Sequence, residues 1–407
     1  MDAPPRIDVA EYAQRREMVL EALEGAAAVV LAGREKQSAS AVGRWKTDRL
    51  FWYLTGLDHE SGAAVVFDPA AEDPERRITL FLRPRDPETE RWDGSRDPLG
   101  LALEARTGFK NVARTPSLPA RLSDAGRRTK RLACLHPFAP YDANISPDLE
   151  IFRNISERIP GVEIEDKTGV LPAMRAVKSP GELALIRQAV AISAAGYEEA
   201  MRFIRPGVSE RDIAERLTAM FREQGAEPAY PPIVGSGLNG TVLHYVDNDQ
   251  IVEDGDLIVI DYAAAYGGYA SDVTRTLPAN GVFAPEQREI YQVVLEANLA
   301  AIEMARPGVS IADVQNAARA VIAAAGYEDN FMHGVGHQIG IEVHDVTPDG
   351  PLVAGMVLTI EPGVYLPQRR VGVRIEDDIL LTEAGNVSLT TSIPKTVAAI
   401  EAAMAAG

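Results

Sequence analysis

The sequence predicts two domains of different class: an α/β domain over residues 1–170, then an α+β domain over 171–407 built on an internal pseudo-two-fold repeat. Three observations lead there. At 407 residues the chain is longer than one hydrophobic core usually serves. Its first part alternates strand-like apolar runs with helical or irregular segments, whereas the remainder opens on a long amphipathic helix. Finally, Arg205-Pro206-Gly207-Val208-Ser209, His244, Gly255, Asp261 and Asp272 recur as Arg306-Pro307-Gly308-Val309-Ser310, His344, Gly355, Glu361 and Glu376. The offset is 101 at the first motif and 100 at the histidine, the glycine and the first carboxylate, too regular for chance similarity of short motifs.

In the first domain the strand-like runs are 27–32, 51–54, 63–67, 78–82 and 131–135, with helical or irregular stretches at 99–107 and 149–159. The apolar stretch 26–31 is far too short to span a bilayer and reads as a core strand. Residues 1–16 are polar, with two prolines and no basic segment leading into an apolar one, so a cytoplasmic protein without a signal peptide is expected. Cys134 is the single cysteine, which excludes an intrachain disulfide and suits a reducing compartment. It lies in the apolar run Leu132-Ala133-Cys134-Leu135, where a buried, inert thiol is expected. A net charge of −18 argues against a nucleic-acid or anionic-membrane partner.

The second domain begins where Lys178-Ser179-Pro180 opens a helix. Leu183, Ile186, Val190, Ala194, Tyr197, Met201 and Ile204 line one face of it at three- and four-residue spacing. Each Arg-Pro-Gly-Val-Ser is then a helix junction. Pro-Gly stops one helix, and Ser209 or Ser310 caps the next, with Asp212 or Asp313 three residues on. The helices so predicted are 210–224 and 311–325, ended by Gly225 and Gly326, with a third over 285–304 that has Pro285 in its first turn.

Hairpins follow. Directly opposed residues of an antiparallel hairpin share a constant index sum. Pairing Asp261 with Asp272 gives 533 and centres a turn between Tyr266 and Gly267, where Gly267-Gly268 supplies the turn chemistry. Pairing Glu361 with Glu376 gives 737 and centres between Gln368 and Arg369, in a polar segment between the runs 357–364 and 371–381. Opposed side chains lie about 4.5–5.5 Å apart at Cβ, and like charges there are destabilising unless neutralised. A bound cation is the simplest remedy. The flanking runs Leu257-Ile258-Val259-Ile260 and Val357-Leu358-Thr359-Ile360 have the composition of buried strands, which argues against four unrelated surface acids.

One segment has no duplicate: from His333 to His344, three of the chain's six histidines fall within twelve residues of a glycine-rich run. Adding His337 to the acids gives Asp261, Asp272, His337, Glu361 and Glu376. Four oxygen donors and one imidazole are too many for one tetrahedral zinc and match two divalent ions bridged by carboxylates. Oxygen-rich ligation favours Mn²⁺, with Co²⁺, Fe²⁺ or Zn²⁺ as alternatives because affinity alone does not select the metal.

The chain resembles the Xaa-Pro aminopeptidases (aminopeptidase P), metallopeptidases with the pita-bread catalytic fold. The resemblance covers nearly the whole sequence. It rests on Ile233-Val234-Gly235-Ser236-Gly237 leading to Leu243-His244-Tyr245, on Asp261 and Asp272 with Val273-Thr274-Arg275-Thr276, and on His333-Gly334-Val335-Gly336-His337. Val343-His344-Asp345, Glu361-Pro362-Gly363-Val364-Tyr365 and Arg374-Ile375-Glu376-Asp377-Asp378 complete the set. In the first half, Phe51-Trp52-Tyr53-Leu54-Thr55-Gly56 and Arg83-Pro84-Arg85-Asp86 followed by Trp92-Asp93-Gly94 are similar to that family's noncatalytic domain.

The resemblance implies a dinuclear-metal aminopeptidase that releases the first residue from peptides with proline second. Glu361 would be both ligand and proton shuttle, His344 an oxyanion donor, and His244 a group that holds substrate near the metals. Tyr230 and His333 would wall the proline ring, with Tyr365 and Arg374 contacting substrate or supporting the ligands; a carboxylate partner for Arg374 is an equal alternative. Tyr262, where relatives carry small residues, is expected to point away from the metal face by strand alternation. Asp377 is expected to face away too, as a solvated or structural acid. Trp92 resembles an exposed tryptophan that approaches a neighbour's active site in tetrameric relatives, with a simple core or rim residue as an equal alternative, and a homodimer or tetramer is implied. The nearest competing reading is an Xaa-Pro dipeptidase (prolidase), which shares all five ligands. A noncatalytic peptide-binding relative is disfavoured by their retention.

Overall fold

The computed structural model describes residues 4–34 and 46–406. It divides the chain into a unit Ile7–Met174 and a unit Arg175–Gly407 that takes in the few residues before Ile7. The division falls inside the helix Val170–Ala176, a few residues beyond the boundary expected at 170.

The first unit is organised by a six-stranded sheet: β1 Ala27–Leu31, β2 Ala64–Phe67, β3 Ile78–Leu82, β4 Asn111–Arg114, β5 Arg131–Cys134 and β6 Glu163–Asp166, in the order β4-β3-β2-β1-β5-β6. β2 is antiparallel to both β1 and β3, and the remaining neighbours are parallel. Val29, Phe81, Leu132 and Phe152 lie in its core. Cys134 is buried there and its thiol is pushed up to about 12 by burial, so no nucleophile is available. The run 51–54, expected as a strand, is instead part of the helix Arg49–Thr55. Asp48 caps it by accepting from the Leu50 and Phe51 amides, and Gly56 ends it at φ +65°. Leu50 through Thr55 are all buried, so the segment has no polar face and no 3.6-residue pattern to betray it.

In the second unit the expected helices appear as Pro180–Phe203, Glu210–Glu223, Pro285–Met304 and Ile311–Ala324. Capping boxes at Ser179/Glu182, Ser209/Asp212 and Ser310/Asp313 start three of them. The strands of the first repeat are β7 Glu227–Pro228, β8 Ile233–Ser236, β9 Leu257–Asp261, β10 Ala264–Tyr266, β11 Tyr269–Ala270 and β12 Thr274–Pro278. Those of the second are β13 Val357–Ile360, β14 Gly363–Leu366, β15 Val371–Arg374, β16 Asp377–Thr382 and β17 Gly385–Ser388. No helix of the described residues is long and apolar enough to cross a membrane.

The second hairpin keeps the expected index sum of 737, with Ile360 opposite Asp377 and Gly363 opposite Arg374, so Glu361 and Glu376 fall opposite one another. The first hairpin does not keep 533. Asp261 pairs with Thr274 and Tyr266 with Tyr269, a sum of 535. The cause is local: Gly267 and Gly268 both take positive φ, +55° and +85°, as both central residues of a tight two-residue turn require. Asp272 is thus diagonal to Asp261 rather than opposite it.

The two repeats meet where β12 runs beside the β15–β16 segment. The Glu376 amide donates to the Thr274 carbonyl (3.1 Å), the Arg374 amide to Thr276 Oγ1 (3.0 Å) and the Asp272 amide to Asp378 Oδ2 (3.2 Å). Across this seam Thr274 stands beside Glu376; Asp261 faces Thr274 in the first repeat, where Glu361 faces Glu376 in the second. The buried Tyr197 hydroxyl reaches the Ile260 and Val273 carbonyls at 2.9 and 2.7 Å, beside the break between the β9–β12 and β10–β11 pairings.

Candidate metal centre and active site

Asp261 ends β9, Asp272 sits in the break before β12, Glu361 follows β13 and Glu376 lies between β15 and β16. With His337, from the loop that leads to β13, they line one cavity of about 320 Å³. His337 Nε2 is 3.6 Å from Asp272 Oδ2 and 3.7 Å from Glu361 Oε1. Donor atoms of Asp272, His337 and Glu376 all lie within 4.8 Å of one another.

The electrostatics of this cluster call for a cation. Burial, then the Asp261 charge, pushes the Asp272 carboxyl well above the usual carboxylate range. Burial, then Asp272, does the same to Glu376, and burial raises Glu361 to about 8. Asp261 Oδ1 is buried with no hydrogen-bond partner. Burial and the neighbouring His344 lower His337 to about 4, which keeps its imidazole neutral, and Nδ1 faces the Gln338 carbonyl at 3.1 Å. A proton on Nδ1, donated to that carbonyl, is the usual second contact of a metal-binding histidine and leaves the Nε2 lone pair facing the carboxylates, free to ligate. An orphaned carboxylate oxygen, a neutral imidazole and crowded buried acids all fit divalent metal.

Around this cluster the remaining candidates separate into groups. A second cavity of about 270 Å³ is lined by Leu243, His333, Gly334, Gly336 and Arg374, and shares His244, Asp261, His337, His344 and Glu361 with the first. Tyr230 and His333, expected to form one wall, line these two overlapping cavities, one each. The Tyr230 hydroxyl donates to Asp272 Oδ1 at 2.6 Å, which ties it to the acids. Tyr365 is fully buried behind His333 and Arg374, its hydroxyl 2.8 Å from His333 Nε2 and 3.0 Å from Arg374 Nη1. Arg374 has the carboxylate partner weighed for it: Nη2 donates to Asp261 Oδ2 at 2.6 Å, and Nε to Thr274 Oγ1 at 3.2 Å. Thr274 Oγ1 in turn donates to Glu376 Oε2 at 2.7 Å. His344 lies flat against His337, with 3.9 Å between ring centroids.

Two residues of the second unit turn away from the site. Asp377 is buried against Arg275 and Lys395, 2.8 and 2.7 Å away; despite the cost of burial those cations hold it down at about 2. Tyr262 packs on Phe221 with its hydroxyl 2.7 Å from Thr218 Oγ1. Trp92, on the helix Pro87–Asp93 of the first unit, is 89% exposed.

Two buried charged residues that the sequence reading did not single out hold the histidine-bearing loops. Glu210 accepts from the Ser236 amide (2.7 Å), the Tyr245 hydroxyl (2.8 Å) and the Gln250 amide (3.1 Å), fastening the loop that carries His244. Arg175 donates to Glu342 and Asp345, on either side of His344. A signal for Glu210 lay in the repeat, where its counterpart is Ile311, an apolar residue in the place of an acid.

Family models match the chain in two places: Metallopeptidase family M24 over residues 184–383 and Aminopeptidase P, N-terminal domain, over residues 12–133. The Xaa-Pro aminopeptidase of Haemophilus influenzae is 34% identical, with 96% of each chain covered. A zinc-substituted aminopeptidase P from Escherichia coli, solved in complex with product, superposes with a TM-score of 0.88 at 32% identity, covering 98% of this chain and 99% of that one. The Xaa-Pro dipeptidase of Pyrococcus furiosus is 38% identical, over 58% of this chain and 69% of its own length.

Proposed function

Since the chain belongs to metallopeptidase family M24 and is related over nearly its full length to Xaa-Pro aminopeptidases, we infer that it is a metal-dependent aminopeptidase. It hydrolyses the Xaa-Pro bond and releases the N-terminal residue from peptides with proline second. The observation that carries this reading is the convergence of Asp261, Asp272, His337, Glu361, Glu376, His244 and His344 on one cavity. The first unit favours the aminopeptidase over the dipeptidase, because the aminopeptidase P N-terminal model matches it and the likeness to the Pyrococcus furiosus dipeptidase covers little more than half of the chain.

Asp261, Asp272, His337, Glu361 and Glu376 would hold two divalent ions, with Mn²⁺ the first choice for an oxygen-rich set. When bound, such ions supply Lewis acidity and lower the pKa of water enough to furnish hydroxide near neutral pH. The chain's residues do the rest. Glu361 takes the proton from the attacking water and returns it to the leaving nitrogen. That proton is needed because proline nitrogen carries no hydrogen in the peptide and must gain one to leave as an amine. His344 donates to the oxygen that gains charge as the carbonyl is attacked. His244, on the wall common to both cavities, holds the substrate. His333 borders the proline-ring side, Tyr230 orients Asp272, and Arg374, backed by Tyr365, orients Asp261. The exposed Trp92 supports assembly as a dimer or tetramer, and the single buried cysteine supports a cytoplasmic location.

The test is to incubate Mn²⁺-loaded protein with an Xaa-Pro dipeptide and with longer peptides that begin Xaa-Pro, and to follow release of the first residue by mass spectrometry. Cleavage of the longer peptides is expected. Cleavage of the dipeptide alone would make the protein a prolidase instead.

A further inference from the structure

We propose that Arg175 is a positioning residue for His344, acting through the two carboxylates that bracket it; the proposal rests on the role assigned to His344 above. Residues 339–356 contain no helix or strand, so no ladder fixes the backbone that carries His344. Beside a few backbone hydrogen bonds, the side chains that flank it are held by ion pairs. Arg175, 3% exposed, donates from Nη2 both to Glu342 Oε2 (2.6 Å), two residues before His344, and to Asp345 Oδ1, one residue after it. Lys178 Nζ, wholly buried, stands 3.4 Å from Asp345 Oδ2 and donates to the Arg175 carbonyl at 2.8 Å. Two cations thus face two carboxylates in a balanced cluster.

The surroundings leave this cluster little slack. A Cβ on Gly340 would overlap Asp345 Oδ2 and come within 3.1 Å of Lys178 Cε. The Asp345 amide donates to the Gln338 carbonyl (2.8 Å) and the Gly340 amide to the Glu342 carbonyl (3.0 Å), folding the loop back toward His337, on whose ring His344 rests. Both bonds leave Nη2, whose two hydrogens lie in the rigid guanidinium plane and point in fixed directions, whereas an ammonium at the same site is a point charge on a shorter, flexible stem. Removing that rigid plane while keeping the charge would let the loop shift. A donor misplaced by about 1 Å costs on the order of 10²-fold in rate.

The experiment compares full-length, Mn²⁺-loaded wild type, R175K, H344A and the R175K/H344A double variant on one Xaa-Pro-leading peptide, with metal content measured for each. For R175K the expected result is a kcat about 10–100-fold lower with KM nearly unchanged. In the H344A background the same substitution should change kcat by less than about 2-fold, because the group it positions is gone. An equal loss in both backgrounds, or a wild-type kcat for R175K, overturns the proposal. If H344A itself keeps the wild-type kcat, the role of His344 has failed instead, and that outcome is distinct. Should R175K not fold, E342Q removes only one arm at a partly exposed position, and a smaller kcat loss confined to the His344-containing background is expected.

Discussion

Glu361 carries the heaviest load of any one side chain, since it faces His337, lines both cavities and is held near Asp261 and Arg374. Glu361→Gln, with metal content verified, is expected to lower kcat by about 10²–10⁴-fold, the range of a general acid–base group; a rate close to wild type would refute the shuttle. Cys134 offers the opposite case. Buried and with its thiol raised to about 12, it should resist a thiol reagent in the native protein and react only on unfolding, as a timed labelling assay would read. Most of the site was legible at this scale because the acids announce themselves through duplication and His337 through its glycine-rich run. What stayed hidden were charges without a pattern. Arg175 sits at a helix end and Glu210 directly after a cap, where solvated charges are ordinary, and only the fold shows both to be buried.

Elements were legible where their ends carry chemistry. The three serine capping boxes and Pro285 start helices where expected, because caps and first-turn prolines act through neighbours in sequence. The helix Arg49–Thr55 and the polar edge strand β6 were not, since burial all round erases one pattern and exposure the other. The shift of the first hairpin from 533 to 535 shows how one more glycine at positive φ moves a whole register. Packing between elements supplies a sharper test. A Cβ on Gly372, in β15, would overlap the Gly240 carbonyl in the short turn ahead of His244. Gly372→Ala is expected to destabilise the protein by about 1–3 kcal/mol or more, read by urea unfolding. A wild-type midpoint would show that the turn can move aside.

At the scale of the molecule, every proposed ligand belongs to the unit Arg175–Gly407 and none to Ile7–Met174. Metal at about 100 times its dissociation constant should stabilise the binding unit by roughly 2.7 kcal/mol. Calorimetry with Mn²⁺ and with chelator is expected to move one transition and leave the other in place; equal movement of both would mean that the units melt together. The two-unit plan was visible in length and in the change of pattern before Pro180. The seam between β12 and the β15–β16 segment was not, because strand pairing across a repeat leaves no local mark in sequence.

That seam also sets an order of events. Asp261 and Asp272 belong to one repeat and His337, Glu361 and Glu376 to the other, so the donor set is complete only after strands roughly a hundred residues apart in the chain have paired, a step whose loop-closure entropy makes it late and slow. Metal then acts as a lock on a finished structure rather than a template for it. Added Mn²⁺ should slow unfolding and leave the refolding rate nearly unchanged in stopped-flow measurements, whereas faster refolding would place the site in the folding nucleus.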